Sequence, residues 1–188
     1  MPDDLLQPFS IHVDFRSGQL TPDPVILERR LSDMTGYFLE EPGTDADAYR
    51  VHEVQVPPTN NNLLSSTTVL QPGKVGNEYF MTKGHFHAVR DRAEIYLALS
   101  GEGLLVMATE EGEVVTADMR PGIASYVPGH WAHRSVNVGD EPLVFYAVYI
   151  GDAGYDYATI EEQGFPVVVV DNGHGPEVVD NPRYRHHL

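Results

Sequence analysis

Hydrophobic and polar positions alternate in short runs along most of this chain. VHEVQV from Val51, STTVL from Ser66, EYFMT from Glu78, AEIYLAL from Ala93 and LLVMAT from Leu104 are such runs. EVVTAD from Glu113, IASYV from Ile123, RSVNV from Arg134 and LVFYAVY from Leu143 continue the series. Each is rich in the β-branched and aromatic residues that suit a pleated strand. Turn-forming stretches punctuate them: PGKVGN, SGEG, EEGE, RPG, PGH and GDEP. Many short strands at near-regular spacing predict an all-β sandwich or barrel. Only two segments predict helix. Leu27, Leu31, Met34 and Phe38 have the spacing of one apolar helix face, and ATIEEQG from Ala158 predicts a brief helix ending at Gly164. FPVVVV and EVVD flank the turn DNGHG and predict a terminal hairpin.

Composition narrows the class. With 188 residues, 41% of them hydrophobic, and ten tyrosines, the chain can bury a core. It reads as one domain over 1–188, with 1–50 as an N-terminal extension and 184–188 as a frayed tail. No apolar run approaches the roughly 18 residues that span a bilayer, and MPDDLLQPF is acidic where a signal peptide is basic, so no membrane partner and a cytoplasmic location are expected. The absence of cysteine excludes disulfides and thiol catalysis. A formal charge of −16 excludes nucleic acid as a partner but not a small phosphate ester, because Lys83, Arg90, Arg92 and Arg134 cluster in sequence and could make one site locally cationic.

That cluster surrounds the most informative residues, in GHFHAVRDRAEIYLALSGEG from Gly84 and PGIASYVPGHWAHRSVN from Pro121. His85 and His87 are two apart, so on an extended strand both imidazoles face one way. Glu94 and His133 complete a set of four nitrogen and oxygen donors. Such a set suits a divalent transition metal, with iron, manganese, nickel, cobalt and zinc all admissible. Four ligands leave an octahedral ion two positions for substrate oxygens. Strand alternation turns Glu94, Tyr96 and Ala98 inward and Ile95, Leu97 and Leu99 outward, an apolar row that needs cover from the N-terminal segment or a second subunit. His130 is not counted as a ligand, and His12, His52, His174, His186 and His187 read as surface residues.

The two glycine-bounded units resemble the paired motifs of the cupins, the first carrying His, His and Glu and the second the last His. The His87-to-Glu94 gap is longer than usual, and His130 stands where the second motif normally has glycine. The resemblance implies a double-stranded β-helix, or jelly-roll barrel, with an N-terminal extension and few short helices. VDFRSGQL at Val13, ERRLSDMTGYF at Glu28, TTVLQPGKVGNEYFMTKGHFHAVRDRAEIYLALSGEG at Thr67, YVPGHWAHRSVNVGDEP at Tyr126 and DAGYDYATIEEQGF at Asp152 bring it closer. Together they are similar to the cupin-type phosphoglucose isomerases of archaea and some bacteria, over nearly the whole chain. That resemblance implies a homodimeric, metal-dependent aldose-ketose isomerase of glycolysis and gluconeogenesis that interconverts glucose 6-phosphate and fructose 6-phosphate. It places the metal ligands on His85, His87, Glu94 and His133, and the substrate contacts on Tyr49, Thr68, Thr82, Gly84, Tyr96, Tyr149 and Tyr157. Tyr155 stands where that family has a histidine. Glu94 is then a ligand alone or also the base, with Tyr96 orienting it or donating to a substrate oxygen. Competing readings are a cupin Fe(II) dioxygenase, a non-enzymatic sugar-phosphate-binding cupin and an isomerase of another sugar phosphate such as mannose 6-phosphate.

Overall fold

The structure, a computed structural model, describes residues 6–185. Fifteen strands are assigned among them. They are β1 (His12–Val13), β2 (Leu20–Thr21), β3 (Val25–Arg30), β4 (Asp47–Glu53), β5 (Leu63–Leu70), β6 (Lys74–Val75) and β7 (Glu78–Tyr79). Then come β8 (Glu94–Ser100), β9 (Gly103–Ala108), β10 (Val114–Met119), β11 (Ala124–Val127), β12 (Ala132–Asn137) and β13 (Leu143–Ile150). Helix α1 (Ala158–Gln163) precedes the hairpin of β14 (Val167–Asp171) and β15 (Pro176–Asp180), where the sequence predicts both.

All pairings are antiparallel, and their order is interleaved. One sheet runs β11-β8-β13-β5-β4-β3 and another β10-β9-β12, so successive strands β8 and β9, β10 and β11, and β12 and β13 lie in different sheets. The chain therefore winds back and forth between two faces, as the expected double-stranded β-helix requires. A bridge between Met81 and Val136 ties the segment after β7 to β12. Leu105, Phe145, Met81 and Val136 fill the space between the sheets, each no more than 2% exposed. On β8 the alternation holds: Glu94, Tyr96 and Ala98 are buried, while Ile95 is 45% exposed and Leu97 and Leu99 are half-buried.

The first helix is a correction. Leu27 lies on β3, hydrogen-bonded to β4, and only Leu31–Met34 forms a single 3-10 turn. β-branched Val25 and Ile26 favour the strand, Asp33 caps the Arg30 amide, and Gly36 at φ 83° stops the turn. The apolar spacing still reports burial for Leu31, Met34 and Phe38, which are core residues, but not for Leu27, which is 39% exposed. His52 is a second correction, being buried rather than superficial. Its Nδ1 lies 2.9 Å from the Gly18 carbonyl and 3.2 Å from Thr67 Oγ1. The loop between β1 and β2 crosses β4 and β5 there and seals this face from within the chain. His12 and His174 are exposed as expected, His130 is exposed too, and His186 and His187 lie outside the described residues. At the C-terminus, the Arg185 amide donates to the Gln163 carbonyl at 2.9 Å.

Candidate active site

Four side chains distant in sequence converge because three elements meet at one end of the barrel. His85 sits just after β7 and bridges to His133 on β12, and Glu94 opens β8 with its side chain inward. The candidate ligand atoms of His85, His87, Glu94 and His133 all lie within 4.8 Å of one another. Two ligands on one ion at about 2.0–2.2 Å can be no more than about 4.4 Å apart, so small rotamer adjustments would close the set. Glu94 Oε2 is 3.2 Å from His87 Nε2 and 3.0 Å from His133 Nε2.

The donor set fits a cation. His87 Nδ1 faces the Arg92 carbonyl at 2.8 Å and His133 Nδ1 the Trp131 carbonyl at 3.2 Å. A carbonyl only accepts, so each Nδ1 carries the hydrogen and each Nε2 presents a lone pair toward the same carboxylate. Lone pairs facing a carboxylate repel unless a proton or a metal ion lies between them. Nε2 of His85 and of His133 are moreover buried without a hydrogen-bond partner. The titration directions agree. Burial opposes ionisation of Glu94, yet contacts from His133 and His87 hold its carboxyl at about 2. Burial also opposes charge on His87, and the Glu94 carboxylate overcomes it and raises His87. His85 is driven well below the histidine range, chiefly by burial, which leaves it a neutral donor.

These residues form the floor of a cavity of about 340 Å³. Tyr49, Thr68, Thr82, Gly84, Tyr96, Tyr149, Tyr155 and Tyr157 all line it with His85, Glu94 and His133, and His87 lies behind. Every side chain singled out as a substrate contact is thus at one surface. Gly84 has φ 75°, and a Cβ there would stand 2.9 Å from the Phe165 ring, so glycine is required by conformation and by space. Tyr155 stacks against Tyr157 and meets the His85 ring edge-on.

The family can now be named, because the glucose-6-phosphate isomerase (GPI) family matches residues 29–185. The chain belongs to that family. A glucose-6-phosphate isomerase of Pyrococcus horikoshii is 48% identical over 186 residues, covering 95% of this chain and 98% of the relative. That of Pyrococcus furiosus is 47% identical with the same coverage. A more distant one from Sinorhizobium medicae is 37% identical over 96% of this chain and 89% of its own.

Within this isomerase-family site, the cationic cluster read from sequence is largely dispersed. Arg90 is paired with Asp156 and Glu110, and Arg92 with Asp152. Arg134 is buried behind Gly84, donating to the Lys83 carbonyl, and burial lowers it to about 10. Of the four, Lys83 alone lines the cavity. In compensation, Arg29 lines it too, with a buried Nε that has no partner. Sequence reasoning missed Arg29 because it was assigned to a helix. It also missed Glu53, whose carboxylate accepts hydrogen bonds from Tyr149 at 2.8 Å and Tyr155 at 3.3 Å. Strand parity gave the available signal, since Glu53 is two residues beyond Val51 and four beyond Tyr49, all on one face of β4.

Proposed function

We propose that this protein is a metal-dependent aldose-ketose isomerase that interconverts glucose 6-phosphate and fructose 6-phosphate at this site. The observation that carries the reading is the convergence of His85, Glu94 and His133 on the floor of a cavity walled by tyrosines and threonines, with His87 behind them. His85, His87, Glu94 and His133 would hold one divalent ion, iron(II) first among the admissible metals. Such an ion supplies charge stabilisation to two adjacent substrate oxygens, an effect of several kcal/mol.

The chain's own groups supply the rest. Moving a carbonyl between C1 and C2 transfers one hydrogen between those carbons and redistributes protons on their oxygens. Glu94, ionised and at the cavity floor, is the group placed to carry that proton, with Tyr96 beside it to orient it or donate to an oxygen. Thr68, Thr82 and the Gly84 backbone offer donors to a phosphate, and Arg29 and Lys83 add positive charge. Tyr49, Tyr149, Tyr155 and Tyr157 exclude water and contact the sugar.

A homodimer in the cytoplasm is the accompanying expectation. Ile95 and Tyr126, 45% and 63% exposed, face each other across β8 and β11 and extend the outward apolar face that a second copy would cover. The whole described chain acts as one unit in this reading. A coupled assay of purified protein with fructose 6-phosphate, under nitrogen, before and after EDTA and with metals restored singly, tests it. Turnover without oxygen supports the isomerase and excludes a dioxygenase. Ligand binding without turnover under any metal would leave a binding module instead.

A further inference from the structure

Glu53 and Glu94 are the two carboxylates that line the cavity among the described residues. Glu94 is committed to the histidine cluster. Glu53 lies at the end of β4 and is none of the four candidate ligands; its polar partners are phenols, of which Tyr155 also meets the His85 ring edge-on. Tyr149 donates to it at 2.8 Å, and the Tyr149 and Tyr155 hydroxyls are 2.9 Å apart, within reach of the same oxygen. Tyr149 is 6% exposed and Tyr155 47%, so the array runs from the interior to the mouth. Part of the cavity wall is therefore a proton acceptor coupled to two proton donors, a composition that the C1–C2 hydrogen transfer at Glu94 does not use.

Sugar phosphates of this class exist in water mainly as closed hemiacetals or hemiketals, whereas a carbonyl must be free before it can move. Resting on the isomerase reading above, we infer that Glu53, with Tyr149 and Tyr155, forms a second acid–base centre that opens and closes the sugar ring. Glu53 takes the proton of the anomeric hydroxyl. The carbonyl forms as the bond from the anomeric carbon to the ring oxygen breaks, and that electron pair passes to the ring oxygen. A tyrosine hydroxyl gives the ring oxygen its proton and is reprotonated by Glu53, so no proton is gained or lost overall. None of the groups in this step is one of the four candidate ligands, so ring opening should proceed without a bound ion.

The test is anomer interconversion of glucose 6-phosphate, followed by exchange NMR beside conversion to fructose 6-phosphate. The wild-type protein should accelerate interconversion above the uncatalysed rate with and without EDTA. Glu53→Gln should lower that acceleration by about 100-fold or more, within the range of general acid–base catalysis. Glu53→Asp, which keeps the carboxylate and guards against a folding defect in the amide variant, should retain part of it. A wild-type protein that isomerises without accelerating anomer exchange, or a Glu53→Gln protein with undiminished exchange, would overturn this inference and leave the isomerase reading standing. A wild-type protein that forms no fructose 6-phosphate with any metal would remove the isomerase reading and this one with it.

Discussion

His85 and His133 exchange both backbone hydrogen bonds, His85 N–H to the His133 carbonyl at 3.3 Å and His133 N–H to the His85 carbonyl at 3.1 Å. Residues paired this way stand directly opposite with side chains on the same face, and their rings approach to 4.5 Å between centroids. The bridge joins the segment before β8 to β12 and so fixes the distance between the two halves of the site. It makes ligand spacing a property of the sheet rather than of side-chain flexibility.

Removing ligands should separate metal from chemistry. His85→Ala and His133→Ala are expected to lose bound metal and turnover together, and EDTA should abolish activity that more than one divalent ion restores. The barrel should survive, because the core is built without the ligands; circular dichroism before and after chelation reports this. Glu94→Gln keeps a coordinating oxygen but cannot accept a proton, so it should retain much of the metal and lose turnover about 100-fold or more. Near-normal turnover in that variant, with no deuterium entering product from heavy water, would make Glu94 a ligand only.

Gly84→Ala should be damaging out of proportion to one methyl group. The left-handed backbone is strained for alanine, and the new Cβ would meet Phe165 at 2.9 Å and Arg134 Cβ at 3.1 Å. A loss of about 1–3 kcal/mol is expected in urea unfolding, with KM raised because the next residue is His85. Unchanged stability would mean that the segment before the site can shift freely.

His52 should make stability depend on pH. Burial pushes its imidazole below the ordinary histidine range, against the upward pull of the Gly18 carbonyl. The unfolded chain therefore binds this proton more readily than the native one. Its contribution to stability is fully present above about pH 6.5 and is lost as pH falls from there through the folded value, with a slope of at most about 1.4 kcal/mol per pH unit. His52→Gln keeps a donor for Gly18 and removes the titration. Urea midpoints at two pH values on either side of 6.5 should differ less in the variant than in the wild type.

The outward face of β8 should be an interface. Ile95→Glu places a charge opposite Tyr126 and should convert a particle of about twice the chain mass to one chain mass in light scattering at micromolar concentration. A wild-type monomer would show that the exposed pair serves no assembly.

Strands β4, β5 and β7 to β13, the terminal hairpin and the four candidate ligands were legible in the chain itself, because alternation with period two and turn residues are local properties, whereas the short strands β1, β2 and β6 carried no such pattern. Even Leu31, Met34 and Phe38 announced burial correctly. Their helix was wrong because pairing of β3 with β4 satisfies more backbone groups than a turn interrupted by Gly36, and no local pattern contains that partner strand. The same limit hid His52, whose cover is a loop more than thirty residues upstream in the chain. It hid Arg29 and Glu53, which reach the cavity only because β3 and β4 extend the sheet that carries Glu94. The sequence by itself determined which residues offer metal-ligating atoms and, on β8, which side chains alternate inward and outward. Tertiary structure alone decided which charges meet: it tied Arg90 and Arg92 into surface pairs, turned Arg134 away, and set Glu53 among tyrosines, since electrostatic partners are chosen by distance in space.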